Sequence, residues 1–520
     1  MLLSIPEALS SSDAFFLYLP AFLIAWTILS AASIYQNRPK NIKFAGRTLF
    51  WGKWLSTLDF VIRGSATILD SYQKSKRQPF AIPALGEYQV LVSSPKHILE
   101  VTRCPESILS FHDAMKKRLR HKITMMGFEH NDIDPDEYVT MQVIKVHLRK
   151  NLPVLNPVIQ HAVAEGFVAN LKGAKSSAEG FSIIPLFSFS KAIVGRVNNQ
   201  IFFGDYLSQN EEFAKAALRY PWDGSVTAEI CRYLPEFAVP VVGRVMMAWS
   251  GSMRTVGRHI TELVDKRVKA HVDGTGEQYV DITQFVITTS RTPRQRDPRR
   301  MVQLIAAMLF AVSLAVPMAL YWAIINLCIH REYIDALREE IQHVEQQQQQ
   351  QQGSNPLKGL RLLDSFLRES ARLNPPDALA VQRKAIRPFK LSDGTTIPAG
   401  NLVAVPQHAM MRDAEQYPDP ELFNPRRYYV EGDTDSVPVQ KFTDVNMQYP
   451  FWGAPAKPCP GRWYASDVLK QILVHLLKNY DFELVGPANT EPLKLATGLA
   501  PRFDVEVKLR ALEEGVEGQS

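Results

Sequence analysis

The chain has 520 residues, 46% of them hydrophobic, and a formal net charge of +6 from 59 basic and 53 acidic side chains. That length holds one large domain or two ordinary ones, and so small and dispersed a charge gives no support to nucleic-acid binding. Four cysteines, Cys104, Cys231, Cys328 and Cys459, lie far apart with no close-spaced pair, which suggests neither a disulfide framework nor a zinc site and puts the body of the protein in a reducing compartment.

Residues 14–35, AFFLYLPAFLIAWTILSAASIY, contain 22 residues without a charge, enough to cross a bilayer as a helix despite Pro20. The small residues Ala31, Ala32 and Ser33 would also suit a cleaved signal peptide. Glu7 and Asp13 precede the run, however, and Arg38, Lys40, Lys43 and Arg47 follow it. The positive side faces the cytosol, so residues 1–36 are expected to be a membrane anchor with a luminal N-terminus, and 37–520 a cytosolic body.

Gln89, Val90, Leu91 and Val92 read as a short strand between turn formers. The basic run KKRLRHK, residues 116–122, reads as a solvated face or a partner contact. From 136 to 290 the pattern is mostly helical, and Lys145 and Arg149, four apart, share one helix face from which both reach an anionic group, or simply water. Pro298 opens a long helix running to about Ile329, apolar nearly all round, which means burial in a core or a second membrane span. Pro317 removes a backbone hydrogen bond inside it. Seven glutamines, residues 346–352, close on Gly-Ser-Asn-Pro and read as a low-complexity loop. Glu369 and Arg372 then lie three apart on a helix. Alternating residues with turns at Asp393-Gly394 and Ala399-Gly400 make a small sheet, and PLKLATGLAPRFDVEVKLR makes two short strands about Thr497-Gly498-Leu499.

The stretch FWGAPAKPCPGRWYA, residues 451–465, is where the chemistry should sit. Cys459 stands between two prolines, with Gly461 and a helical run behind it, so the helix start directs N–H groups at the sulfur and favours thiolate. A lone buried cysteine is otherwise a small core hydrophobe.

The loop resembles the cysteine-ligand loop of cytochrome P-450 enzymes, with Trp452 in place of the usual Phe, then Gly453, Lys457, Cys459, Pro460 and Gly461. Pro455 stands where that family has a second glycine. Glu369 with Arg372, and Arg427 in FNPRRYY, match in order the family's buried carboxylate and two guanidinium groups, and the resemblance extends over nearly the whole chain. It implies a mainly α fold with small β-sheets and a long central distal helix, and a haem b whose iron is ligated by Cys459. Arg383, Lys457 and Lys145 are implied as contacts of the haem edge, with Arg149 an alternative to Lys145. Aligning the helix on its flanking FA and WA residues puts Leu314, Ala315 and Val316 where relatives carry an acid or His and a Thr that relay protons. The nearest hydroxyl is Ser313, one position off, which reads equally as a packed serine bonded back to its own helix.

Within the family, LCIHREYIDALREEI and PCPGRWYA resemble membrane-bound fungal enzymes of secondary metabolism. The implied activity is a monooxygenase of the endoplasmic reticulum membrane. Its substrate would be a hydrophobic terpenoid, alkaloid or polyketide, and its electrons would come from NADPH through a separate reductase, since the chain has no flavin or dinucleotide fingerprint. The apolar residues Leu314, Ala315, Val316, Ala378, Leu379 and Leu499 suit such a ligand or an ordinary core. The missing acid and Thr leave open a haem enzyme that rearranges, dehydrates or cyclises its substrate without inserting oxygen, and a silent binding protein is the third class.

Overall fold

A computed structural model describes residues 37–45, 50–84, 87–129, 138–177, 179–275, 277–350, 356–429 and 440–512. The expected anchor, residues 14–35, lies outside the described residues.

A six-stranded sheet forms one side of the molecule. Its strands are β1 (Lys43–Phe44), β2 (Phe80–Ala84), β3 (Glu87–Leu91), β4 (Leu109–Ser110), β5 (Ala380–Ala385) and β6 (Leu402–Val405), in the spatial order β1-β2-β3-β6-β5-β4. The expected strand at Gln89 is the C-terminal part of β3. In β5, Ala380 faces Val405 and Arg383 faces Val403, so three residue steps on one strand match two on the other. Val381, inside this bulge, has a φ of 53°, a conformation costly for a β-branched residue, and such bulges re-aim neighbouring side chains.

The longer helices are α1 (Phe50–Ser75), α2 (Phe111–Leu119), α3 (Arg149–Leu171) after a π-helical stretch Gln142–Leu148, α4 (Leu186–Phe203), α5 (Glu211–Arg232), α6 (Val239–Ser250), α7 (Ser252–Val272), α8 (Pro298–Ile329), α9 (Ile334–Gln350), α10 (Arg361–Leu373) and α11 (Arg462–Asn479), and a four-stranded sheet and three two-stranded ones complete the β structure of the described residues. The long apolar run becomes α8, capped by the Asp297 carboxylate on the Arg299 N–H with Pro298 in the first turn. At 32 residues it is about 48 Å long. It packs against α4, α5, α7, α10 and α11, so its apolar circumference is that of a core helix rather than a second span. The first five glutamines of the 346–352 run are not loop but the end of α9. Glutamine is a good helix former, and extending a helix already started costs far less than nucleating one.

The C-terminal hairpin of β7 (Leu493–Leu495) and β8 (Gly498–Ala500) is bound to α1. The α1 backbone leaves helical geometry at Arg63, and the Val61 carbonyl accepts from the Ala496 N–H at 2.8 Å. The absence of a side chain at Gly64 makes this approach possible, because a Cβ there would lie 2.5 Å from the Ala496 carbonyl oxygen.

Candidate active site

The loop before α11 is built by its own backbone. Gly453 pairs with Pro458 and Ala454 with Lys457, so Pro455 and Ala456 form the tip of a tight hairpin. Proline is at home at the first corner of such a turn, so its replacement of a glycine leaves the loop intact. Gly453 has a φ of 91°, where a side chain would be strained, and a Cβ would press on the Lys457 carbonyl at 3.1 Å. The Trp452 indole N–H donates to the Phe442 carbonyl at 2.6 Å, and the Trp452 carbonyl accepts the Cys459 N–H at 2.6 Å. The cysteine backbone is thereby fixed without any use of its sulfur.

Around that sulfur two influences compete. Burial pushes the thiol up, while the N–H groups of Gly461 and Arg462 and the Arg462 charge pull it down. Arg462 is itself held by the Thr443 and Cys459 carbonyls at 3.1 and 2.8 Å. Yet the Cys459 side chain is exposed. A side chain deep enough to be desolvated but still exposed lies against internal space. The same holds for α8, where Ala311 and Ala315 are exposed in the middle of an otherwise enclosed helix. The two elements approach where Met318, Ala319 and Trp322 of α8 share a small gap with Phe442 and Phe451.

Behind this loop lies the carboxylate–guanidinium cluster. Arg372 grips Glu369 through Nε and Nη2 at 2.8 Å each, and the Arg427 Nε donates to Glu369 at 3.4 Å. Both Glu369 and Arg372 are wholly buried. Arg372 also donates to the carbonyls of Met411 and Pro420 at 2.6 and 2.7 Å, fastening α10 to the segment that leads into the cysteine loop.

The model of the cytochrome P450 family matches residues 65–502. This chain is a cytochrome P450. It is 26% identical over 464 residues to the cytochrome P450 monooxygenase janP of Penicillium janthinellum, covering 86% of each chain. It is 28% identical over 470 residues to cytochrome P450 monooxygenase 151 of Postia placenta, covering 88% of this chain and 91% of that one. Among solved structures, a retinoic acid-bound cyanobacterial CYP120A1 superposes with a TM-score of 0.66 at 18% identity, covering 88% of this chain and 96% of that one. Membership makes the protein an oxidoreductase of the monooxygenase type and implies a haem b held by a cysteine thiolate. The residues present fit that group: an exposed cysteine under N–H donors, and small exposed alanines on the central helix.

The other expected P450 site residues are placed unequally. Arg383 is buried just beyond the β5 bulge, its guanidinium 5.2 Å from the centre of the Phe111 ring and bonded to the Gln382 carbonyl at 2.9 Å. Lys145 is exposed on the π-helical stretch, whose neighbouring Ile144 lies against Gly461. Arg149 is taken up differently. Its guanidinium lies 3.7 Å from the centre of the Trp463 ring, which Arg462 also covers at 3.6 Å. Lys457 pairs with Glu106 at 2.8 Å. Burial alone would raise the Glu106 carboxyl, and the Lys457 ammonium with the Phe111 N–H more than reverses this. In this arrangement the ammonium is engaged by a carboxylate of another loop.

On α8, Leu314 is half-buried, Ala315 exposed and Val316 buried, none with a proton to move. Ser313 stands two residues from both Ala311 and Ala315, about 200° round the helix from each. Its hydroxyl accepts from the Asn198 amide at 3.2 Å, and the Asn198 carbonyl accepts from the Tyr464 hydroxyl at 2.8 Å. Ser313 therefore ties α8 to α4 and α11 and faces away from the open side of the helix. Ser313, expected as the hydroxyl nearest in sequence to the relay positions or else as a packed serine, is engaged here in packing, bonded to another helix and not back to its own.

The basic run 116–122 is also corrected. Lys117 pairs with Glu87 at 2.9 Å, Arg120 with Glu236 at 2.9 Å, and Arg118 with Asp377. Three of its charges brace the body of the protein instead of being free for a partner. The spacing of the run carries no sign of this, since each acid comes from a different part of the chain.

Proposed function

We propose that this cytochrome P450 oxidises a hydrophobic secondary-metabolite intermediate of the terpenoid, alkaloid or polyketide kind, with Cys459 as the ligand of its haem iron. The observation that carries the reading is the Cys459 sulfur, desolvated by protein yet open to internal space beneath N–H donors. When bound, the haem supplies oxygen activation from dioxygen and two electrons. The chain's own residues do the rest. The hairpin 453–458 holds the thiolate in place, and the Gly461 and Arg462 N–H groups favour its charge. The alanines of α8 leave room for a flat group and an apolar substrate, and Lys145 and Arg383 supply positive charge for the group's carboxylates.

The electrons come from a separate NADPH-cytochrome reductase. A cleft of about 890 Å³ beside the hairpin supports this, lined by Arg149, Lys358, Arg361, Lys441, Arg462 and Lys470 against three aspartates. The endoplasmic reticulum membrane is the proposed location. Besides the apolar run 14–35, the surface supports it: Phe237, Val241, Val245 and Trp249 are 68, 67, 58 and 90% exposed along one face of α6 and its approach. A body lacking residues 1–36 is expected to sediment with phospholipid vesicles, and Val245→Glu with Trp249→Glu to weaken that binding at least about tenfold. Unchanged sedimentation of the double variant would remove this face from the membrane contact.

A second reading has its own observation. Ala311, Leu314, Ala315 and Met318 make the open side of α8 apolar, which suits rearrangement or cyclisation without net oxygen insertion. Labelled dioxygen separates the two. One labelled oxygen atom per product supports the monooxygenase reading, and product formed without label supports the second.

A further inference from the structure

The middle of α8 is held by less than the rest of the helix. Residues 311–315 all keep some exposure, whereas 308–310 before them and 320–328 after them are buried. A backbone bond is missing here as well. Pro317 has no N–H, so the Ser313 carbonyl, four residues earlier, lacks the donor that an α-helix supplies. Neither packing nor the helix ladder therefore fixes this turn firmly, and it is the turn that carries Ala311 and Ala315 on its open side.

One side chain of the turn is tied from outside. The Ser313 hydroxyl accepts from the Asn198 amide at 3.2 Å, and the Asn198 carbonyl accepts from the Tyr464 hydroxyl at 2.8 Å. Asn198, in α4, and Tyr464 are both buried, so water does not compete for these bonds. Tyr464 stands in the first turn of α11, where the Ala465 N–H reaches the Gly461 carbonyl at 3.0 Å. That turn also carries the Gly461 and Arg462 N–H groups that face the Cys459 sulfur. The bonds thus run from the cysteine end of α11, across α4, to the back of the weakly held turn of α8. They pull against closure. The open side is apolar, so burying it by moving the turn forward would be favourable, and apolar contact alone has no direction to prevent it.

We infer that Tyr464, acting through Asn198 and Ser313, is a positioning residue that holds the alanine turn of α8 back on α4 and so keeps room for a bulky ligand on its open side. This rests on the reading of Cys459 as the ligand of a haem iron whose substrate lies under that turn. None of the three side chains touches the reacting atoms. The substrate they provide for is broad beside the carbon that reacts, as a branched or ring carbon is, and not the slim end of a straight chain.

The test uses the full-length, haem-loaded protein, chemically reduced and titrated with methyl isocyanide and tert-butyl isocyanide. Both bind the same iron and differ in the bulk placed above it, and the readout is the ratio of their dissociation constants. Ser313→Ala is expected to shift that ratio against tert-butyl isocyanide by at least about threefold, and Tyr464→Phe to do the same. The double variant is expected to shift it no further, because both changes break one chain of bonds, whereas two separate packing defects would add. Ser313→Ala is a small change at a half-buried position and decides the matter if Tyr464→Phe does not fold. The carbon monoxide spectrum reports separately on the ligand: a parent without the thiolate band would remove the reading of Cys459 and this inference with it. With the thiolate band intact, an unchanged ratio in Ser313→Ala, a shift favouring tert-butyl isocyanide, or additive shifts in the double variant would overturn the inference alone.

Discussion

Replacing Cys459 by serine is expected to abolish turnover while leaving the chain folded. The loop is held by the Trp452 indole on the Phe442 carbonyl, by the Cys459 N–H on the Trp452 carbonyl and by the short ladder across Gly453 and Pro458. None of these uses the sulfur, and serine is close in size, so the melting temperature should move little. What disappears is the thiolate, whose anionic electron donation a neutral hydroxyl does not reproduce. The other three cysteines offer no substitute. Cys104, Cys231 and Cys328 are buried among packed side chains, and burial pushes the Cys328 thiol up to about 12. Turnover by the serine variant would place the ligand elsewhere.

The second large effect belongs to a residue with no chemical role. Arg372→Leu is expected to prevent accumulation of folded, haem-containing protein. Glu369 would be left wholly buried, with only the 3.4 Å contact to Arg427 and the Asn424 N–H at 3.0 Å to offset its charge. The Met411 and Pro420 carbonyls would lose their donor as well. Breaking a buried ion pair from one side costs about 3–5 kcal/mol, against about 5–15 kcal/mol for a whole domain. Expression followed by thermal melting checks this. A leucine variant that loads haem and melts within a degree or two of the parent would show that the cluster is dispensable.

Local motifs were legible because their partners are close in sequence or their geometry is set by the backbone. Glu369 and Arg372 lie three apart on one helix, so their pairing needs little from the rest of the fold. Cys459 is fixed by residues 452–461, and the apolar run after Pro298 has to be buried. Long-range pairings were not legible. Arg118 meets Asp377 across 259 positions, and nothing in KKRLRHK distinguishes an inward-facing arginine from a solvated one. Arg149 shares a helix face with Lys145 on paper, but the π-helical stretch before it changes the angular spacing, and Trp463 takes its guanidinium. Ser313 was named for its nearness in sequence to Leu314, and 100° per residue turns it to the other side. The glutamine run was read from composition, which says nothing of the helix already formed in front of it.

Both halves of the proposed chemistry, a haem iron held by the Cys459 thiolate and a reductase that delivers electrons to it, meet in one experiment. The most direct test is the carbon monoxide difference spectrum of microsomes containing the full-length protein and a co-expressed NADPH-cytochrome reductase. A Soret band red-shifted as thiolate ligation requires is expected, formed with NADPH as the only reductant. A band characteristic of imidazole or neutral thiol ligation, or no band even with a chemical reductant, would contradict it.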